Sequence, residues 1–145
     1  MKRHWIGGLA GLVIAFILVG CGAQGATGQV ESLSPDEMRS HIEENDTAFI
    51  LLNNTEDKED RTENIELVEE KISSIDVKEI NAKSSAMLDN NLKPDDLGLK
   101  DIQFGTLGIY EDGKLKDYVS LRSVDFPSED SKEKTLQEFI DNNAS

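Results

Sequence analysis

The segment FGTLGIYEDGKLKDYVSL, residues 104–121, constrains the fold of this chain more than any other. Asp112-Gly113 at its centre supplies the residues a tight two-residue turn demands, and apolar strand patterns flank it on both sides. Leu107 and Ile109, with the small Gly105, share one face of the first strand, while Thr106 and Tyr110 mark the other. In the second strand Leu115, Asp117, Val119 and Leu121 fall on one side and Tyr118 opposite. Both tyrosines read as strand aromatics that pack against sheet or helix neighbours. The segment is therefore an antiparallel hairpin.

The remaining elements follow from periodicity and punctuation. TAFILLNN (47–54) is a compact apolar run, too short for an average helix and suited to a central strand. Ahead of it, Ser34, Pro35 and Glu37 spell an N-cap, a proline at the first helical position and a capping-box partner, and Met38 and Ile42 give that helix one apolar face. After it, Ile65, Val68, Ile72 and Ile75 recur at spacings of 3, 4 and 3, which predicts a long helix over 61–75 lying on the sheet, with Glu66, Glu69, Glu70 and Lys71 facing water. VKEINA (77–82) alternates poorly but is the best second strand, and a short helix is expected around Met87 and Leu88, followed by loop through Pro94. At the C-terminal end, Ser128 or Ser131 caps a helix that buries Leu136, Phe139 and Ile140. A strand, helix, strand succession implies a right-handed parallel crossover, and the hairpin adds antiparallel strands. The expected class is α/β, with a mixed central sheet flanked by helices.

The N-terminal residues have another purpose. Lys2 and Arg3 form a short positive region, Trp5 to Gly20 is an uncharged, mostly apolar run, and Leu18-Val19-Gly20-Cys21 closes it. A run this short, ended by small residues, fits a secretory signal better than a spanning helix. Those four residues resemble the lipobox of bacterial lipoproteins. The resemblance implies a signal peptide over 1–20, cleavage before Cys21, diacylglyceryl on the cysteine sulfur, and residence at the outer face of the cell membrane. GAQGATGQVES then reads as a flexible tether, placed at 21–33, with the folded domain at 34–145.

Cleavage would leave 125 residues, enough for one core, and would move the formal charge from −14 to −16. Such a surface repels nucleic acid, whose binding needs positive charge to replace counterions. Cys21 is the only cysteine, so no disulfide reinforces the domain.

The element order resembles thioredoxin, including its additional N-terminal helix, over approximately residues 34–143. The most telling match is FGTLGIYEDGKL, which is similar to the family's apolar strand entered through a proline-threonine pair and left through a glycine turn; KEKTLQEFIDNN resembles its C-terminal helix. In that family a CxxC pair opens the long helix, where the helix terminus lowers the nucleophile's pKa. The corresponding NNTEDKEDR holds no cysteine, and Gly105 stands where the family has its cis-proline, with Thr106 beside it. A non-proline cis bond costs about 2.5–4 kcal/mol, so the Gly105 bond is expected to be trans. Both halves of the redox site are gone, and thiol–disulfide exchange, which needs an attacking sulfur, is expected to be absent. The resemblance leaves a candidate binding groove formed by Asn53, Asn54, Thr55, Asp57, Phe104, Gly105 and Thr106, where the family docks an extended peptide through backbone hydrogen bonds. Gly105 is expected to leave it roomier, and Thr106 to orient a backbone.

Other chemistry has little to work with. Once the signal is removed His41 is the sole histidine, read as a solvated helix residue, so zinc lacks ligands. There is no GxSxG elbow and no P-loop, and no cofactor is implied. Glu56, Asp57, Glu59 and Asp60 lack the glycine and spacing of an EF-hand and read as the acidic start of a helix. The expected role is a non-catalytic, membrane-anchored lipoprotein that binds an envelope protein or wall component. Two alternatives remain: a structural wall-associated lipoprotein without a ligand groove, and a carboxylate-dependent envelope hydrolase, for which convergent acids of raised pKa would be the sign.

Overall fold

The computed structural model describes residues 28–144. The expected signal peptide and Cys21 lie outside the described residues, as does Ser145.

Five strands form one sheet: β1 (Val30–Ser32), β2 (Thr47–Asn53), β3 (Val77–Asn81), β4 (Thr106–Glu111) and β5 (Lys114–Ser120). Their order across the sheet is β1-β3-β2-β4-β5. β3 runs parallel to both β1 and β2, whereas β4 is antiparallel to β2 and to β5. Four helices flank it: α1 (Pro35–Glu44), α2 (Lys58–Lys71), α3 (Ser85–Asp89) and α4 (Glu129–Asn143). This is the thioredoxin-like α/β architecture with a mixed central sheet that the resemblance implied.

The apolar run of β2 is central because both its faces are covered. Phe49 and Leu51 join Val68, Ile72, Leu107, Ile109, Leu136, Phe139 and Ile140 on the face carrying α2 and α4. Ala48, Ile50 and Leu52 join Met38, Ile42, Met87, Leu97, Leu99 and Tyr110 on the face carrying α1 and α3. The period of two along the strand thus divides its side chains between two cores. α1 begins as its sequence dictates, with a complete capping box: Glu37 N–H donates to Ser34 Oγ (3.3 Å), and Ser34 N–H donates to the Glu37 carboxylate (2.8 Å).

Four expectations need correction. The tether placed over 21–33 runs into ordered structure, because Val30–Ser32 pair with Val77–Glu79 as an edge strand. α2 stops at Lys71, since Ile72 is extended (φ −97°, ψ 144°); Ile72 and Ile75 still reach the core, from the segment leading into β3. The loop at Pro94 contains a single 3₁₀ turn, Pro94–Leu97, whose Leu97 is buried. Finally, β5 shifts register opposite Ile109/Tyr110, so Tyr110 faces Leu115 while Ile109 faces Asp117. That bulge reverses the strand's phase, sending Leu115 to the α1 side while Val119 and Leu121 stay on the α2 side. β5 is the sheet's outer strand, with Lys114, Lys116 and Asp117 all exposed.

Candidate functional site

β2 and β3 both end in asparagine, and these two side chains build the site. Asn81 is buried at the end of β3 and grips the segment leaving β2: its Oδ1 accepts from Thr55 N–H (3.1 Å) while its Nδ2 donates to Thr55 carbonyl (2.8 Å). Asn53, wholly buried, accepts at Oδ1 from the Asn64 side chain of α2 (2.8 Å) and donates from Nδ2 to Glu79 Oε1 (3.0 Å). Asp57 then caps α2, its carboxylate accepting from Glu59 N–H at 2.7 Å.

Glu79 is the centre of this arrangement, and it is 0% exposed. Its carboxylate receives both Arg61 Nε (2.9 Å) and Arg61 Nη2 (2.6 Å), together with Ser32 Oγ (2.6 Å) and Asn53 Nδ2. Burial alone would raise its pKa, but the hydrogen bonds from Arg61, Asn53 and Ser32 outweigh burial and hold it below the ordinary glutamate value. The bond to Glu79 in turn raises the pKa of Arg61. The poor alternation of β3 is explained here: Glu79 and Asn81 point inward as partnered polar groups.

Through Thr55 and Asn64 these contacts reach the wall of a cleft of about 460 Å³ at the end of the sheet. Asn54, Thr55, Asp60, Glu63 and Asn64 line one side, Phe104 and Gly105 the strand entry, and Arg122, Ser123 and Lys132 the far side, with Leu67 and Leu121 between. Both cations are engaged: Arg122 with Asp125 (2.9 and 3.0 Å), and Lys132 with Glu129 (2.5 Å) and Ser123 Oγ (3.0 Å). Phe104 stands at the rim, 46% exposed.

The structure therefore brings together Asn54, Thr55, Phe104 and Gly105 of the expected groove. Asn53 and Asp57 act behind it, as support and helix cap. Thr106 is not available to a ligand: it is buried, and its hydroxyl donates to Gln103 carbonyl at 2.7 Å. Nor is Gly105 the open position that its lack of a side chain implied. Its peptide bond is trans, as expected, with φ +71°. Its N–H donates to Leu52 carbonyl and its carbonyl accepts from Leu121 N–H, both at 2.8 Å. The space above it is occupied by Arg122, whose Cγ would lie 2.9 Å from a Cβ at this position. Both backbone groups of Gly105 are committed to the fold, so neither is free to pair with an extended peptide. Glu63, Asn64, Arg122 and Lys132 went unrecognised in the sequence, because only the pairing of distant segments brings them together.

The chemistry available is polar contact. Among the described residues no cluster of three or more His, Cys, Asp or Glu is arranged to hold a metal ion. Four carboxylates titrate below their usual range. Glu37 is held down by the Ser34 N–H, Asp125 by Ser120 and Arg122, Glu129 by Lys132, and Glu79 as described. None of these four supplies the raised acid that a carboxylate hydrolase requires. His41 is partly buried beside Asn45 rather than fully solvated, and burial lowers its pKa, with Lys78 acting in the same direction.

No family model and no curated protein matches the chain. Among solved structures, a chain in the crystal structure of a ferredoxin:thioredoxin reductase and thioredoxin f2 complex is similar to it. The two are 16% identical, over 83% of this chain and 99% of that one, with a TM-score of 0.49.

Proposed function

We propose that the protein is a non-catalytic, lipid-anchored lipoprotein of the outer face of the cell membrane, and that its cleft binds a protein or another component of the cell envelope. The observation that carries this reading is the way the cleft is held. It lies where the thioredoxin family does its sulfur chemistry, the sequence from residue 22 onward has no cysteine, and its wall is nevertheless tied down by three buried polar side chains, Asn53, Glu79 and Asn81. Burying such groups is costly unless each is fully partnered, and an apolar strand end would fold more simply. A polar support placed directly behind an open cleft fits a surface kept in shape for recognition.

The partner-binding half is tested by crosslinking in cells, capture from membranes, and chemical-shift mapping with the captured partner. Shifts are expected at Asn54, Thr55, Asp60, Asn64 and Phe104. Shifts confined to α1, or to the outward side of α4, would place the functional surface elsewhere and favour a structural envelope role. The anchoring half rests on the layout of residues 1–21, and mass spectrometry of the processed N-terminus is expected to find diacylglyceryl on Cys21. Two acyl chains are sufficient for stable anchoring where one is marginal. Cys21→Ala should leave the precursor uncleaved; a wild-type chain still beginning at Met1, or one with an unmodified Cys21, would refute the lipoprotein reading.

A further inference from the structure

β1 is the first element after the expected tether, and its connections reach well beyond its three residues. Val30 N–H donates to Glu69 Oε1 on α2 at 3.0 Å, and Leu33 N–H, just past the strand, donates to Glu79 carbonyl at 2.9 Å. Ser32 Oγ donates to the Glu79 carboxylate at 2.6 Å and accepts from Arg61 Nη2 at 3.3 Å. From Glu79 the chain of contacts continues through Asn53 to Asn64, which lines the cleft. Arg61 lies in the same turn of α2 as the cleft residues Asp60, Glu63 and Asn64. A continuous set of hydrogen bonds thus joins the edge strand β1 to the cleft wall.

We propose that β1 is a strap that governs the order of the cleft: docked, it holds Glu79 and Arg61 in place and the cleft-facing turns of α2 are fixed; undocked, it releases them. The strap is poised for this. It is short, it lies at the sheet edge, and two of its three residues, Glu31 and Ser32, are exposed. Local opening of such an element requires far less than global unfolding. The inference rests on the cleft reading for its use, but its test needs no ligand, so a failure of one is separable from a failure of the other.

The test is amide hydrogen exchange of the full chain in detergent micelles, comparing wild type with Ser32→Ala, Ser32→Thr and Glu69→Ala. Loss of a hydrogen bond to a charged group should raise exchange over residues 53–64 about tenfold in Ser32→Ala. The Asn64 side-chain amide resonances should move as its contact with Asn53 loosens, while β4, β5 and α4 keep their protection. Ser32→Thr retains the hydroxyl and should behave as wild type. Glu69→Ala frees Val30 without touching Glu79 and should raise exchange over the same residues. Unchanged exchange at 53–64 in both alanine variants would overturn the proposal. So would a rise shared equally by β4 and β5, because Ser32 would then be one more contributor to overall stability.

Discussion

Gly105→Pro, which would install the residue that the thioredoxin resemblance places here, is expected to destabilise the protein by roughly 3 kcal/mol or more. Proline fixes φ near −65°, and the chain at this position requires φ +71°. It also removes the N–H that donates to Leu52 carbonyl at the point where β4 meets β2. For a domain of this size the midpoint of thermal unfolding should fall by about 10–20 °C. Gly105→Ala keeps the N–H and should cost less, about 1–2 kcal/mol from the left-handed backbone, together with a displacement of Arg122, whose Cγ would lie 2.9 Å from the new Cβ. A proline variant within a few degrees of wild type would show that the entry to β4 is not built this way. The glycine is thus part of a different local path, and no single substitution converts one site into the other.

The second large effect is expected at the ion pair. Arg61→Ala leaves the Glu79 carboxylate in the sheet without its principal partner. Breaking a buried pair typically costs about 3–5 kcal/mol, and because Arg61 itself is 34% exposed, water can partly replace it, so about 2–4 kcal/mol is expected at pH 7. The pH dependence carries a definite sign. Glu79 in the folded protein titrates below its unfolded value, so its contribution is complete above the unfolded carboxyl value of about 4.3 and is lost as pH falls through the lower, folded value. In the variant the carboxylate, left with only Asn53 and Ser32, takes up its proton more readily, since less then opposes burial. The difference in stability between wild type and Arg61→Ala should therefore narrow on acidification. Urea unfolding at pH 7 and pH 4 measures it; a difference that stays constant, or widens toward acid, would contradict the ion-pair account.

Local signals were readable in the sequence where they depend on neighbours along the chain. The capping box at Ser34, the Asp112-Gly113 turn, the apolar run of β2 and the buried face of α4 each announce themselves within a few residues. What was hidden depends on partners far away. Val30–Ser32 has neither the length nor the alternation of a strand, and it is one only because β3 offers an edge and Glu79 a partner for Ser32. The apolar period of α2 runs on through Ile72 and Ile75 although the helix does not, because a stripe records burial and not backbone conformation. Glu79 looked like a lapse in β3 until Arg61, eighteen residues away in the sequence, was seen to neutralise it. Asn54, Thr55, Phe104 and Gly105 of the cleft were legible through the resemblance; its far wall, Arg122 and Lys132, comes from segments that nothing local connects to Asn54.

The bulge in β5 bears on how these molecules behave when many are gathered together. An outer strand of seven residues offers a row of unpaired amides and carbonyls to any neighbour, which is how sheets of separate molecules fuse into aggregates. Here the register shift breaks the regularity of that row, and Lys114, Lys116 and Asp117 set charged, hydrated side chains along it. Alignment of a second β5 would have both to overcome an irregular backbone and to strip water from these charges. The irregularity that reverses the phase of the strand thus also makes its edge a poor template for a crowded neighbour.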